Sequence, residues 1–194
     1  MAGVPKYTVV LDACVLYPAK LRNLLLSLAE RGAFHARWSQ DIQDEWIRNL
    51  LAKGKEGITA EKLARTAQQM IDAIEDSVIE GYEYLIGSLT LPDANDRHVL
   101  AAAIVGHADA IVTFNLKDFP QQEIMERHKI EVIHPDDFLI FQYDLNNVEF
   151  LSTIKEMRGK MKSPPLTAEK LANSFAVAGL PQTAARMQDA INLI

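Results

Sequence analysis

Five side chains in separate segments of the chain offer oxygen ligands for a metal ion. They are Asp12, Glu45, Asp96, Asn115 and Asp118. Carboxylates that lie within ~4–6 Å of each other repel and raise one another's pKa, so a cluster of them needs cations to neutralise it. Ligand sets made only of oxygen select Mg²⁺ or Mn²⁺ over zinc. One or two such ions could hold a phosphodiester and lower the pKa of a bound water, which indicates hydrolysis without a covalent nucleophile.

Three of these residues belong to one continuous stretch, residues 91–120. It begins with an acid-rich turn, in which the carboxylate of Asp93 is placed to cap free amides. Apolar residues at 99–104 predict a helix that starts near Asp96, and the run AIVTF at 110–114 predicts a short buried strand. A strand joined so closely to the helix before it is typical of a parallel α/β arrangement.

The other two candidates lie earlier in the chain. Residues 7–11, YTVVL, predict a buried parallel strand, and Asp12 follows where that strand ends. In open α/β sheets ligands bind beyond the carboxyl ends of the strands. Ser39 is a suitable N-cap for a helix that places Glu45 beside the apolar face containing Trp46. Taken singly, Asp12 could be a turn or cap residue and Glu45 a surface residue.

The segments VVLDACVLYP, SQDIQDEW, PDANDRHVLAAAI and TFNLKDF together resemble the acidic signature of the PIN-domain ribonucleases. The VapC-like toxins of bacterial toxin–antitoxin pairs are the most similar branch. The resemblance covers residues 7–143, and Cys14 stands where the family usually has Asn. It implies a three-layer α/β/α sandwich with a central parallel sheet.

The resemblance also implies an activity, which is metal-dependent endonucleolytic cleavage of single-stranded RNA to 5′-phosphate and 3′-hydroxyl ends. One or two Mg²⁺ or Mn²⁺ ions would be the cofactor, with Asp12, Asp96 and Asp118 as chief ligands. Glu45 would be a ligand or a water-orienting base, and Asn115 a neutral ligand or hydrogen-bond donor. An antitoxin protein would restrain the enzyme, and a homodimer is expected.

Two alternatives keep the fold but change the function. One is a PIN-like nuclease that acts on DNA or on structured RNA in repair or processing. The other is a catalytically silent PIN fold used as a binding module, which the retained acids argue against. A receiver-type phosphoacceptor also has acids at strand ends, but it would not need the helix that carries Glu45.

Composition limits the remaining classes. The net charge of −6 over 194 residues argues against a nucleic-acid ligand, but a cluster of acids would itself account for much of that balance. A single cysteine excludes an intrachain disulfide and fits a reducing cytoplasm. No apolar run reaches the ~20 residues that a membrane helix needs. RNA contacts would have to come from basic side chains near the site, namely Lys20, Arg22, Arg48, Lys53, Lys55, Arg97 and Lys117.

The last part of the chain, residues 144–194, contains only predicted helices, with a break at Ser163, Pro164 and Pro165. It resembles the helical C-terminal extension of some VapC-like toxins, so we predict a nuclease domain at 1–143 and an extension at 144–194. About fifty residues cannot easily form their own core. The extension should therefore pack on the main domain, on a second subunit or on an antitoxin. Its predicted contacts with a second subunit and an antitoxin are Leu171, Phe175, Leu180, Met187 and Ile191.

Overall fold

A parallel β-sheet forms the centre of the molecule in the computed structural model, which describes residues 6–162 and 164–194. Its five strands have the order β3-β2-β1-β4-β5, and every neighbouring pair is parallel. The strands are β1 (Thr8–Leu11), β2 (His35–Ser39), β3 (Val78–Ile79), β4 (Ala110–Val112) and β5 (Glu131–Ile133). The predicted α/β class with a central parallel sheet is confirmed.

Helices connect the strands and cover the sheet. Before the last strand they are α1 (Ala13–Leu16), α2 (Ala19–Glu30), α3 (Gln40–Ala52), α4 (Ala60–Ala73), α5 (Glu83–Ile86), α6 (Arg97–Val105) and α7 (Gln121–His128). After it come α8 (Pro135–Leu145), α9 (Asn147–Lys160), α10 (Ala168–Val177) and α11 (Pro181–Asp189). Because helices pack on both faces, the central strands are apolar throughout, and all of Val9–Leu11 and Ala110–Val112 are buried.

The chain order creates a crevice at the carboxyl edge of the sheet. From β1 the chain adds β2 and then β3 on one side, and it later adds β4 and β5 on the other. Chain segments therefore leave β1 and β4 in different directions although the two strands are paired, with Val10 beside Ile111. Such a switch point is where open α/β sheets bind ligands.

Ser39, the predicted N-cap of α3, and Thr59 both cap helices with their side chains. The Ser39 hydroxyl accepts a hydrogen bond from the amide of Ile42 at 3.3 Å, and the Thr59 hydroxyl accepts one from the amide of Lys62 at 3.3 Å. Both residues have extended backbone and satisfy amides that the first helical turn leaves free. The cap at Ser39 fixes where α3 begins and therefore how far Glu45 lies from the sheet.

Some elements were not predicted. Among them, Val78–Ile79 add a strand at the sheet edge beside β2. Two residues are too few for a periodic signal. Helix α7 (Gln121–His128) follows Pro120 and buries only Ile124, so its sequence has almost no apolar pattern.

The C-terminal helices pack on the rest of the chain through buried side chains. Leu171, Phe175, Leu180 and Met187 are at most 1% exposed. Their predicted role as contacts for a second subunit or an antitoxin is therefore wrong, because neighbouring helices of the same chain already cover them. Ile191 is partly buried against the same core.

Polar contacts anchor the same helices. Asp136 at the start of α8 is 2% exposed and accepts hydrogen bonds from the first turn of α11. Arg31 at the end of α2 pairs with Glu149 at 2.5 Å and Glu156 at 2.6 Å, both on α9. The predicted boundary at residue 143 lies within the last turn of α8 and stays a prediction. The predicted chain break includes Ser163, which lies outside the described residues, while Lys162 and Pro165 form an isolated antiparallel bridge.

None of the helices among the described residues is long and apolar enough to cross a lipid bilayer.

Candidate active site

Asp12 occupies the end of the central strand. Its backbone amide still donates to Val112 O in β4 at 3.1 Å, and the next residue begins α1. The side chain is 3% exposed. One carboxylate oxygen, Oδ1, accepts from the Ala13 amide at 2.6 Å. The other, Oδ2, accepts from the Thr113 hydroxyl at 2.6 Å and the Cys14 thiol at 3.1 Å.

Cys14 thus fixes the orientation of Asp12, at the position where the family usually has Asn. Its sulfur also accepts a hydrogen bond from the Phe114 amide at 3.3 Å. Burial and the nearby Asp12 charge raise the pKa of the Cys14 thiol, so it remains protonated and can donate. A thiol with a raised pKa is also a poor nucleophile.

Thr113 is a member of the site that the sequence analysis missed. It follows β4, it is fully buried, and its hydroxyl both donates to Asp12 and accepts from the Asn115 amide at 2.9 Å. One side chain therefore connects the ends of β1 and β4. A polar residue inside the apolar run AIVTF was the signal that could have identified it.

The electrostatic environment of Asp12 disfavours its ionised form. Burial raises the pKa of this carboxyl, and the Glu45 charge raises it further. The hydrogen bonds from Thr113, Cys14 and the Ala13 amide lower the pKa but do not cancel the effect of burial. A cation at this place would remove the penalty.

Asp96 lies at the start of α6 without capping it. The predicted cap is Asp93, whose carboxylate accepts from the Asn95 amide at 2.8 Å and begins a 3-10 turn over Ala94–Asp96. Asp96 makes no cap hydrogen bond, and its buried Oδ2 atom has no hydrogen-bond partner among the described residues. The Asp96 carboxylate is therefore free to bind a ligand.

The pKa of Asp96 identifies its neighbours. It is raised to about 6, first by burial and then by the charges of Asp12, Asp93, Asp118 and Glu45. Every charged group that shifts it is an acid. The structure therefore brings four of the predicted residues to one place, because strand ends, a helix start and a helix side meet at the carboxyl edge of the sheet.

Glu45 has a partner that was not predicted. Its Oε2 atom lies 3.4 Å from Nε2 of His98 on α6, with the two side chains 29% and 14% exposed. His98 was not among the predicted site residues. The position of His98 two residues after Asp96 was the available signal.

Asn115 and Asp118 lie in the turn after β4. The Asn115 carbonyl accepts from the Asp118 amide at 2.9 Å, which forms a 3-10 turn over Leu116–Asp118. Asp118 is close enough to raise the pKa of Asp96. The Asn115 amide is tied to Thr113, so the turn has a fixed connection to the Asp12 network.

The donor set fits a hard divalent cation. Asp12 Oδ1 accepts only one hydrogen bond, and Asp96 Oδ2 accepts none. In the part of the chain that the structure describes, no group of three or more His, Cys, Asp or Glu side chains is already arranged so that it could hold a metal ion. Ion binding would therefore require the carboxylates to move closer together.

Comparison with known proteins agrees with this fold and site. The family model described as PIN domain matches residues 8–117, more than half of the chain, so the protein belongs to the PIN-domain family. A second model, described as VapC50 C-terminal domain, matches residues 135–189. The predicted resemblance to a PIN domain with a helical C-terminal extension is confirmed.

One curated relative is similar over part of its length. It is named "Putative ribonuclease VapC50", from Mycobacterium tuberculosis, and is 39% identical over 106 residues. These residues are 55% of this chain and 61% of the relative, so the match spans less than two thirds of that protein. No solved structure matches the chain.

Proposed function

We propose that this protein is a metal-dependent endoribonuclease that hydrolyses single-stranded RNA and leaves 5′-phosphate and 3′-hydroxyl ends. The observation that carries the proposal is the gathering of acids around Asp96, whose pKa is raised by burial and then by the charges of Asp12, Asp93, Asp118 and Glu45. A fold has no structural reason to gather carboxylates that repel one another, so such a group indicates a site for cations. Membership of the PIN-domain family and the ribonuclease name of a relative support the same activity.

The proposed ligands are Asp12, Glu45, Asp96 and Asp118. One or two Mg²⁺ or Mn²⁺ ions held there would polarise the phosphate, lower the pKa of a bound water and stabilise the departing oxygen. Thr113 and Cys14 keep Asp12 in a fixed orientation through their hydrogen bonds to Oδ2. A fixed ligand reduces the reorganisation that the site must undergo during reaction.

Glu45 is the proposed ligand or proton acceptor for the attacking water. His98 lies 3.4 Å away and limits the positions that the Glu45 carboxylate can adopt. Asn115 is a neutral ligand or a hydrogen-bond donor to the phosphate. The leaving 3′-oxygen takes its proton from solvent. No residue forms a covalent bond to RNA.

The biological setting follows from the family. We infer a toxin that an antitoxin protein restrains in the cytoplasm, acting as a homodimer. The nuclease domain would comprise residues 1–143 and the extension residues 144–194. Since the predicted apolar contacts of the extension are buried, a partner would have to use exposed apolar side chains instead. Those on α8 and α9 are Phe141, Leu145 and Val148, which are 53%, 64% and 75% exposed.

The test is a cleavage assay on single-stranded RNA with Mn²⁺ or Mg²⁺ and with EDTA. The parent should cleave only with metal, and Asp96→Asn should be inactive. Asp144→Asn removes the same charge from an exposed position on α8 and should behave as the parent. Cleavage that EDTA does not reduce, or an active Asp96→Asn variant, contradicts the proposal. Cleavage of DNA in place of RNA would support the alternative nuclease.

A further inference from the structure

The outer half of α3 and the turn after it are basic. Residues 46–55 contain Arg48, Lys53 and Lys55 and no acid, in a chain whose net charge is −6. All three side chains are exposed. None of the ion pairs formed among residues 6–162 and 164–194 involves them. No ion pair within the described residues therefore neutralises their charges, although Glu56 follows Lys55 in the sequence.

This basic segment continues from the candidate active site. Glu45 is on the second turn of α3, and Arg48 lies three residues further on the same side of the helix. Lys53 is eight residues beyond Glu45, which corresponds to ~12 Å along a helix axis. A short single strand whose phosphate contacts the acids can span this distance.

Lys53 is held by an aromatic side chain and not by a carboxylate. Its Nζ atom lies 4.8 Å from the ring centre of Tyr17. Tyr17 is the C-cap of α1, the helix that begins directly after Asp12. Helix α1, which follows Asp12, and helix α3, which carries Glu45, thus also bring an aromatic ring and a cation together.

Not every basic side chain near the site can bind RNA. Arg22, one of the predicted RNA contacts, is 6% exposed, donates to Leu16 O at 2.7 Å and lies 4.7 Å from the ring centre of Trp46. Burial lowers its pKa to about 10. Arg22 therefore has a structural role, whereas Arg48 and Lys53 are exposed, as is Lys117 beside Asp118.

We infer that Arg48, Lys53 and Tyr17 form a binding surface for the backbone of single-stranded RNA next to the cleaved bond. We call it the α3 surface, and it rests on the proposed function. Exposed cations beside an aromatic ring are the usual components of single-strand binding sites. Arg48 and Lys53 contact phosphates, and Tyr17 restricts the positions of Lys53 so that less conformational freedom is lost on binding.

The test is the salt dependence of cleavage for the parent, Arg48→Gln, Lys53→Gln, Tyr17→Leu and a control. The control is Lys170→Gln, which removes the same charge from an exposed position on α10. Each lost phosphate contact should raise KM by about three- to tenfold at moderate salt and leave kcat near the parent value. It should also reduce the slope of log KM against log salt by ~0.7.

Tyr17 and Lys53 should act as a pair. Tyr17→Leu should raise KM less than Lys53→Gln does, and the double variant should be no worse than Lys53→Gln alone. Unchanged slopes in Arg48→Gln and Lys53→Gln would overturn the inference. So would an equal change in Lys170→Gln, because that would indicate a general effect of net charge. Loss of antitoxin binding with unchanged KM would assign the α3 surface to a protein partner instead.

The test of the α3 surface can be separated from the test of the proposed function. If the parent does not cleave RNA, the proposed function fails. The α3 surface is then tested by the fluorescence anisotropy of a labelled single-stranded RNA in EDTA. The same variants should show weaker binding and a smaller salt slope than the parent and Lys170→Gln. Equal binding by all of them would overturn the inference in that case too.

Discussion

Two buried aspartates in this chain have similar burial and hydrogen bonding but different effects on stability and on the chemistry of the site. Asp12 is 3% exposed and Asp136 is 2% exposed. Each accepts three hydrogen bonds, one from a threonine hydroxyl, which is that of Thr113 for Asp12 and of Thr183 for Asp136. Burial and hydrogen bonding therefore do not reveal which carboxylate could take part in chemistry.

The charges beyond these hydrogen bonds distinguish the two carboxylates. Asp136 faces the first turn of α11 and accepts from the backbone amides of Gln182 at 2.8 Å and Thr183 at 2.9 Å. These amides would otherwise be unsatisfied, and the positive end of the helix stabilises an anion. Burial and then the charge of Glu45 raise the pKa of Asp12, and the charge of Asp12 in turn raises the pKa of Asp96. One aspartate stabilises the fold, and the other lowers its stability in a way that a cation would relieve.

The largest expected effect is the loss of cleavage in Asp12→Asn. Removing a charged ligand should cost several kcal/mol of transition-state stabilisation, or about 10³-fold in kcat/KM. Stability without metal should stay within about 1 kcal/mol of the parent, because the Thr113 hydroxyl can rotate to accept from the new amide. Denaturant melts beside the cleavage assay check both results. An active Asp12→Asn would remove the main distinction between the two aspartates.

Asp136→Asn should have the opposite effects. An amide has one accepting oxygen, so at least one buried amide of α11 would face an NH₂ group that cannot accept. The expected loss is about 2–3 kcal/mol in the free energy of unfolding, with little change in cleavage by folded protein. Asp137→Asn is the matched control, since Asp137 is exposed and bonds only the Gln182 side chain. A parent-like melt of Asp136→Asn would show that this carboxylate does not anchor α11.

These two aspartates also show how far the sequence could lead. Caps at Ser39, Thr59 and Asp93 were predictable because each bonds an amide two or three residues away. The approximate positions of four strands were predictable from short apolar runs. Local chemistry and periodicity suffice for features of this kind.

Contacts between distant residues were not predictable in the same way. Thr113 and Asp12 are separated by 101 positions, and Asp136 and Thr183 by 47. Asp136 lies in the first turn of α8, and no local pattern indicates that it also caps α11. The strand β3 is paired through Trp38 and Val78, and its two residues have no pattern of their own. Such features depend on how the chain packs.

The dependence of stability on pH should differ between the two regions. The raised pKa of Asp96, about 6 against an ordinary 3.8, means that the folded chain binds its proton more tightly than the unfolded chain does. This contribution is fully present below about 3.8 and is lost as pH rises through about 6. A shift of about two units corresponds to ~3 kcal/mol at most, and solvent screening of a partly exposed group reduces this to ~1–2 kcal/mol.

Denaturant melts of the parent and of Asp96→Asn, without metal and at pH values from about 4 to about 8, measure the effect. The difference between the two proteins isolates Asp96 from other acids, such as those that pair with Arg31. The variant should be the more stable protein at pH 8, and the gap should narrow at low pH. With saturating Mn²⁺ the parent should become the more stable one at pH 8, because the ion binds it more tightly. A constant gap at all pH values would contradict a raised pKa.

The smallest effect should come from Phe114, which connects the two regions. Its amide donates to Cys14, and its ring contacts His134 edge-on with centroids 5.2 Å apart, two residues before Asp136. Phe114→Leu keeps the backbone donor and a branched apolar side chain but loses the aromatic contact. We expect a loss of about 1 kcal/mol in unfolding free energy. We also expect Mn²⁺ affinity to fall by about threefold, because the strand end that holds Thr113 is less fixed.

Calorimetric titration with Mn²⁺, at a temperature where both proteins are folded, measures this coupling. Phe141→Leu is the control, since it makes the same change at a side chain of α8 that is 53% exposed. If Phe114→Leu lowers stability but binds Mn²⁺ as the parent does, the two regions are energetically independent. If it lowers both, packing of the C-terminal helices contributes to the geometry of the acids. The Asp136→Asn variant should then also bind Mn²⁺ more weakly, although Asp136 itself contacts none of the acids at the sheet edge by hydrogen bonding.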